Sequence, residues 1–150
     1  MKVRLADLYV TVHAPRSQVF QMFMSLTEGR PPEGNGEGAT VVEQDGNRLL
    51  VQFVSRDGRR IYRTLEEVHL FPPERITFRH LKGPLHHASE EFQLAEVAEG
   101  TCMTYRGQIE CRMPWLPGAG WLVARWYVRP KYERLVSRHM AQLKEAVEGP

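Results

Sequence analysis

Leu8-Tyr9-Val10-Thr11-Val12-His13-Ala14-Pro15-Arg16-Ser17-Gln18-Val19-Phe20 contains the end of a strand and the start of a helix. From Val3 to Val12 the residues alternate, with Leu8, Val10 and Val12 on one face and Asp7, Tyr9 and Thr11 on the other, which is the period of a half-buried strand. Pro15 ends it. In the first turn of a helix a missing N–H is no loss, and Val19, Phe20, Phe23 and Met24 then recur as one apolar stripe. The spacing predicts a brief helix that lays this stripe on a sheet.

Strands and turns follow. Gly29 to Gly38 has four glycines and two prolines in ten residues, which predicts a mobile surface loop. Ala39 to Gln44 and Arg48 to Arg56 are strand-like and meet at Asp45-Gly46-Asn47, a tight-hairpin signal. Asp57-Gly58 repeats it before Arg59 to Phe71, Pro72-Pro73 closes that strand, Arg75 to His80 is the next, and Lys82-Gly83-Pro84 turns the chain again. Leu85 to Val97 and Thr101 to Met113 form a last hairpin around Ala98-Glu99-Gly100. Such connections imply antiparallel pairing throughout.

Pro114 and Pro117 end the sheet, and Gly118 to Glu148 is expected to be helical. Tyr132, Leu135, Val136, His139, Met140, Leu143 and Val147 recur at helical spacing, opposite Lys131, Glu133, Arg134, Lys144 and Glu145. Pro130 should kink or split this helix, because it removes an N–H and crowds the carbonyl four residues earlier. Trp115, Trp121, Trp126 and Tyr127 concentrate aromatic residues near its start. Consecutive residues lie about 100° apart around a helix, so no face buries them all, and one or two should be exposed.

At 150 residues the chain fits one domain with one core, residues 1–150. Its 42% hydrophobic and 25% charged composition is that of an ordinary globular protein, and no apolar run is long enough to span a bilayer. Asp7 interrupts any signal-peptide pattern, which predicts a cytoplasmic protein. A net charge of +2 is too small to imply nucleic acid as a partner. Cys102 and Cys111 should sit in one strand about 30 Å apart and on opposite faces, so they cannot pair. No G-x-S-x-G, Walker or dinucleotide-binding glycine motif is present, which removes the common hydrolase and nucleotide-cofactor readings. The histidines and cysteines lack structural-zinc spacing, so neither a cofactor nor a metal is expected.

The segment Val10 to Phe20 resembles the strand-to-helix opening of the START/polyketide cyclase-dehydrase (SRPBCC) superfamily: a hydrophobic alternation, Ala-Pro, then an apolar-aromatic pair. Phe71-Pro72-Pro73-Glu74-Arg75-Ile76, Gly83-Pro84 followed by Phe92-Gln93-Leu94, and Gly100-Thr101-Cys102-Met103-Thr104-Tyr105 agree with it in order. Phe92 stands where relatives often have Trp. The resemblance implies an α+β helix-grip fold: a seven-stranded curved antiparallel sheet around a long C-terminal helix, two short helices after strand one, and a deep pocket for lipids, sterols, polyketides or quinones.

Strand parity nominates the pocket walls. Met103, Tyr105, Gly107, Ile109 and Cys111 form the small or apolar face of the last strand, and the same test turns Val51 with Phe53, Ile76 with Phe78, and Phe92 with Leu94 inward. Arg59 to Phe71 is mixed in phase, with a preference for Tyr62 inward; its Glu66 and Thr64 share a face but receive no role, as ordinary surface neighbours. Tyr62, Tyr105 and Trp121 bring polar edges to an apolar wall. The ligand-binding candidates are therefore Val51, Phe53, Tyr62, Phe78, Phe92, Met103, Tyr105, Trp121 and Arg125. His86 shares the parity of Glu90, which makes that pair the candidate acid-base residues.

These features suggest binding, for transport, sensing or storage, of an apolar or amphipathic small molecule between sheet and helix. The alternatives are a cyclase/dehydrase-like enzyme using acid-base residues in the same place, and a protein-interaction module using the helix aromatics. Arg125, Arg129 and Lys131 beside those aromatics also allow transient contact with a membrane surface. The chain is expected to be a monomer or a homodimer.

Overall fold

The computed structural model of the chain describes residues 2–28, 38–83, 85–112 and 118–149. Its elements are β1 (Val3–Arg4), β2 (Leu8–Val12), α1 (Arg16–Glu28), β3 (Gly38–Asp45), β4 (Arg48–Asp57), β5 (Arg60–Phe71), β6 (Arg75–Lys82), β7 (His87–Val97), β8 (Gly100–Glu110), α2 (Ala119–Val123), a π-helical turn (Ala124–Val128) and α3 (Arg129–Glu148). One antiparallel sheet runs β1-β8-β7-β6-β5-β4-β3, and β2 pairs with β8 beyond β1. This is the helix-grip architecture. The loop expected from Gly29, Trp115 and any second short helix over 29–37 lie outside the described residues.

The strand expected from Val3 to Val12 divides in two. Val3 pairs with Ile109 and Arg4 with Gln108, but Leu8 pairs with Tyr105, so Leu5 to Asp7 oppose only Arg106 and Gly107. The extra residue is a bulge. It switches the inward phase from Val3 and Leu5 to the even positions Leu8, Val10 and Val12, and Leu5 N–H keeps the ladder by donating to Gly107 O at 2.9 Å. Register also shifts between Val41 and Glu43 and between Leu65 and Glu66. Three such irregularities bend the sheet around what it grips.

The junction quoted at the outset is clamped by β8. Thr101, fully buried, donates its hydroxyl to Ala14 O at 2.8 Å. Just before it, a Cβ on Gly100 would come within 2.4 Å of Val12 O, so only glycine permits this approach.

The terminal helix follows its apolar stripe: Val136, Met140 and Leu143 are buried, each contributing roughly 1.5–3 kcal/mol, and Tyr132 and Val147 pack beside them. Pro130 does not end it, and the ladder is interrupted just before the proline by the π-helical turn. Arg129 N–H donates to Ala124 O, five residues back, and the widened turn accommodates the proline at the start of α3. β8 stops at Glu110, short of the expected Met113, and both cysteines are free.

Candidate functional site

On β5 the phase is set by burial. Val68 and Leu70 are buried while Ile61 is exposed, so the even residues face inward and Glu66 goes in with them, only 9% exposed. The reading of Glu66 as a surface residue was wrong: strand parity, dictated by two aliphatic neighbours, overrides the preference of one carboxylate for water. On β6, Ile76, Phe78 and His80 face the same way. Glu90 on β7 shares the phase of buried Ala88, Phe92 and Leu94, and Tyr105 on β8 is fully buried.

The ladders bring these groups together. Glu66 pairs across with His80, Phe78 with Glu90, Glu90 with Gly107, and Phe92 with Tyr105. Phe23 of α1 lies 4.8 Å from Phe92 between ring centroids, Phe78 lies 5.8 Å from Phe92, and Phe92 lies 5.0 Å from Tyr105. An aromatic cluster thus lies on the same face as the two carboxyl groups. From the gripped helix, Tyr132 donates its hydroxyl to Glu90 Oε1 at 2.5 Å.

Burial and the neighbouring Glu90 push the Glu66 carboxyl up to about 8. Burial raises Glu90 too, but the Tyr132 hydroxyl favours its ionised form, so Glu90 is the first of the two to ionise. Tyr132 and Tyr105 are held above the usual phenol range by burial and the Glu90 charge, and burial keeps the His80 imidazole neutral. Tyr105 Oη feels the Glu90 charge but lies outside hydrogen-bonding geometry with it, and is left without a partner; so is His80 Nε2. Gly107 makes room for that hydroxyl, since a Cβ there would sit 2.6 Å from it.

The sequence-nominated residues divide. Val51, Phe78, Phe92, Met103 and Tyr105 are buried, Phe53 packs against that core, and Phe53, Phe78, Phe92 and Tyr105 form one chain of ring contacts. Tyr62 and Trp121 are half-buried. Arg125, half-buried, stacks its guanidinium 4.8 Å above the Trp126 ring and lies close enough to Glu133 to help hold that carboxyl down. His86 does not face inward. It precedes β7, its side chain is 41% exposed, and its Nε2 lies 3.5 Å from Glu110, because the strand's alternation begins only at His87. His80 occupies the interior instead. Trp126 and Tyr127 are both exposed, as the helix geometry required.

The outer face treats its carboxylates differently. Glu67, next to Glu66, meets His69 Nε2 at 2.9 Å, Arg48 Nη2 at 2.9 Å and Arg79 Nη2 at 3.1 Å, and these partners, His69 foremost, hold it down to about 2. A groove of about 350 Å³ between β2 and α3 is also a surface feature, where Lys144 is occupied by Glu148 and Thr11 O. Among the described residues, no cluster of three or more His, Cys, Asp or Glu could hold a metal ion, and no helix is long and apolar enough to cross a membrane.

The sheet gripping its C-terminal helix gives this chain a helix-grip fold, and solved proteins share it. The chain superimposes on the di-domain aromatase/cyclase BexL of the BE-7585A biosynthetic pathway with a TM-score of 0.80 at 17% identity, covering 99% of this chain and 51% of that one. The chain thus spans about half of BexL. The Zhui aromatase/cyclase from Streptomyces sp. R1128 gives 0.70 at 20% identity, covering 98% and 92%, and a START superfamily protein from Mycobacterium smegmatis gives 0.71 at 12%, covering 97% and 98%. At these identities the likeness is one of fold. No protein-family model matches the sequence, and no curated protein matches it significantly.

Proposed function

We propose that this chain encloses an apolar or amphipathic small molecule between its sheet and α3, and that the polar group of that molecule meets the Glu66, Glu90, Tyr105 and Tyr132 cluster. One observation carries the reading: a concave face built from Val, Ile, Met and Phe also holds two glutamates and a tyrosine hydroxyl with no partner. An unmatched buried polar group costs roughly 1–3 kcal/mol, so a plain core has no use for this set. Apolar walls with a few convergent polar groups are the usual composition of a ligand site. Native mass spectrometry of the freshly purified protein should show a co-purified apolar compound, or a panel of fatty acids, sterols, quinones and polyketides should raise the melting temperature. If neither happens, the reading fails.

A second reading, acid-base catalysis of the cyclase or dehydrase kind, is favoured by the unequal glutamates. Glu66 keeps its proton at neutral pH while Glu90 is the readier to ionise, which supplies a donor and an acceptor inside one apolar space. Loss of turnover in Glu66→Gln or Glu90→Gln, with ligand binding and fold intact, would establish it. His86→Ala should leave any such turnover unchanged, as His86 is exposed.

A further inference from the structure

We infer that the guest of this interior is an organic cation, an apolar molecule carrying a protonated amine or quaternary ammonium group, held between Glu66, Glu90 and the aromatic rings around them. This rests on the ligand-binding reading above and specifies its chemistry.

Two carboxyl groups enter the concave face from β5 and β7, and among the described residues no ion pair joins either of them to a cation. Among the described residues, these charged or titratable groups lie near the pair. His80, across from Glu66 on β6, is neutral; Tyr105 on β8 and Tyr132 on α3 are phenols; Glu133 on α3 is negative and is engaged by Arg129 Nε at 2.7 Å and by Ala6 N–H. Arg125 lies on Trp126 and, with Arg129, serves Glu133. The outer face shows the contrast, since there a single carboxylate, Glu67, gathers Arg48, Arg79 and His69. Buried charge is tolerated when it is paired, and the inner pair lacks its positive partner among the described residues.

The walls suit that partner. Phe23, Phe78, Phe92 and Tyr105 are in mutual ring contact, and aromatic faces attract ammonium groups, most strongly away from water. Tyr105 Oη, fully buried beside Glu90 and unpartnered, offers an oxygen lone pair to an N–H or to an N-methyl group. A neutral ligand would leave an ionised Glu90 with only phenol partners, and an anionic one would set a further negative charge beside it.

Benzyltrimethylammonium, whose charge does not titrate, and its neutral carbon isostere neopentylbenzene separate the cases. The cation should raise the melting temperature and bind at least tenfold tighter than the isostere. Because Glu66 must ionise to pair with it, calorimetry at pH 7 in buffers of different ionisation enthalpy should show protons released as the cation binds. Affinity should rise between pH 6 and pH 8 and level off above about 8. Glu66→Gln should abolish the proton release, and Glu90→Gln should weaken the cation without weakening neopentylbenzene. Equal binding of the isostere, or cation binding with no proton released, overturns the inference while leaving the apolar-guest reading standing. Failure of both probes, together with a neutral panel that does bind, likewise overturns the cation alone; failure of every compound overturns both.

Discussion

Tyr132 of the gripped helix donates its hydroxyl to Glu90 on β7 at 2.5 Å, so the contact between helix and sheet at the site runs through a polar bond within an apolar interface. The bond ties the helix to β7 and favours the ionised form of Glu90 over that of Glu66.

Tyr132→Phe removes that donor and little volume. A hydrogen bond to a charged group contributes about 1.5–3 kcal/mol, and this one is charge-assisted only once Glu90 has ionised. The variant should lose more stability at alkaline than at acid pH, read from urea unfolding across the range. A loss that is the same at every pH would mean that Tyr132 does not serve an ionised Glu90.

Glu66 makes the protein sensitive to alkali. Its folded value of about 8 lies above the 4.5 of the exposed group, so the folded state holds the proton more tightly. The resulting stability is fully present below pH 4.5 and declines as pH rises until it is lost above about 8. The slope is at most about 1.4 kcal/mol per pH unit. Glu66→Gln should flatten the stability profile over this window and make the protein more stable than wild type at pH 8. A wild-type profile that is already flat would show that Glu66 is solvated.

The sequence made much of this legible, and the failures have physical causes. Alternation and turn chemistry located the strands from Arg48 to Glu110 and the helix stripe through Val136, Met140 and Leu143, because each rests on local period. The inward placement of Glu90 followed from its phase with Phe92 and Leu94. Glu66 was missed because β5 carries Ile61 outward and a carboxylate inward, so hydrophobicity gave no clean phase; the aliphatic pair Val68 and Leu70 was the signal available. His86 failed for a different reason, since a turn can end anywhere and the strand's first residue decides which histidines alternate with it. Tyr132 was readable as a helix-stripe residue, but its bond to Glu90 spans 42 positions and no local pattern encodes it.

Gly107 and Tyr105 provide the closing prediction, because the room made by one is taken by the hydroxyl of the other. A Cβ at position 107 would lie 2.6 Å from Tyr105 Oη, 3.0 Å from its Cζ and 3.2 Å from Leu5 Cδ1. Gly107→Ala should therefore cost about 1–3 kcal/mol through overpacking. Tyr105→Phe alone should be near neutral or stabilising, since it deletes a buried hydroxyl that has no partner. In the double variant the nearest obstacle to the new methyl is gone, while the ring carbon and Leu5 still crowd it, so the two changes should couple favourably by about 0.5–2 kcal/mol in a double-mutant cycle. Strict additivity in guanidinium unfolding would show that the hydroxyl does not occupy the space over Gly107, and would remove the geometric basis for placing it beside Glu90.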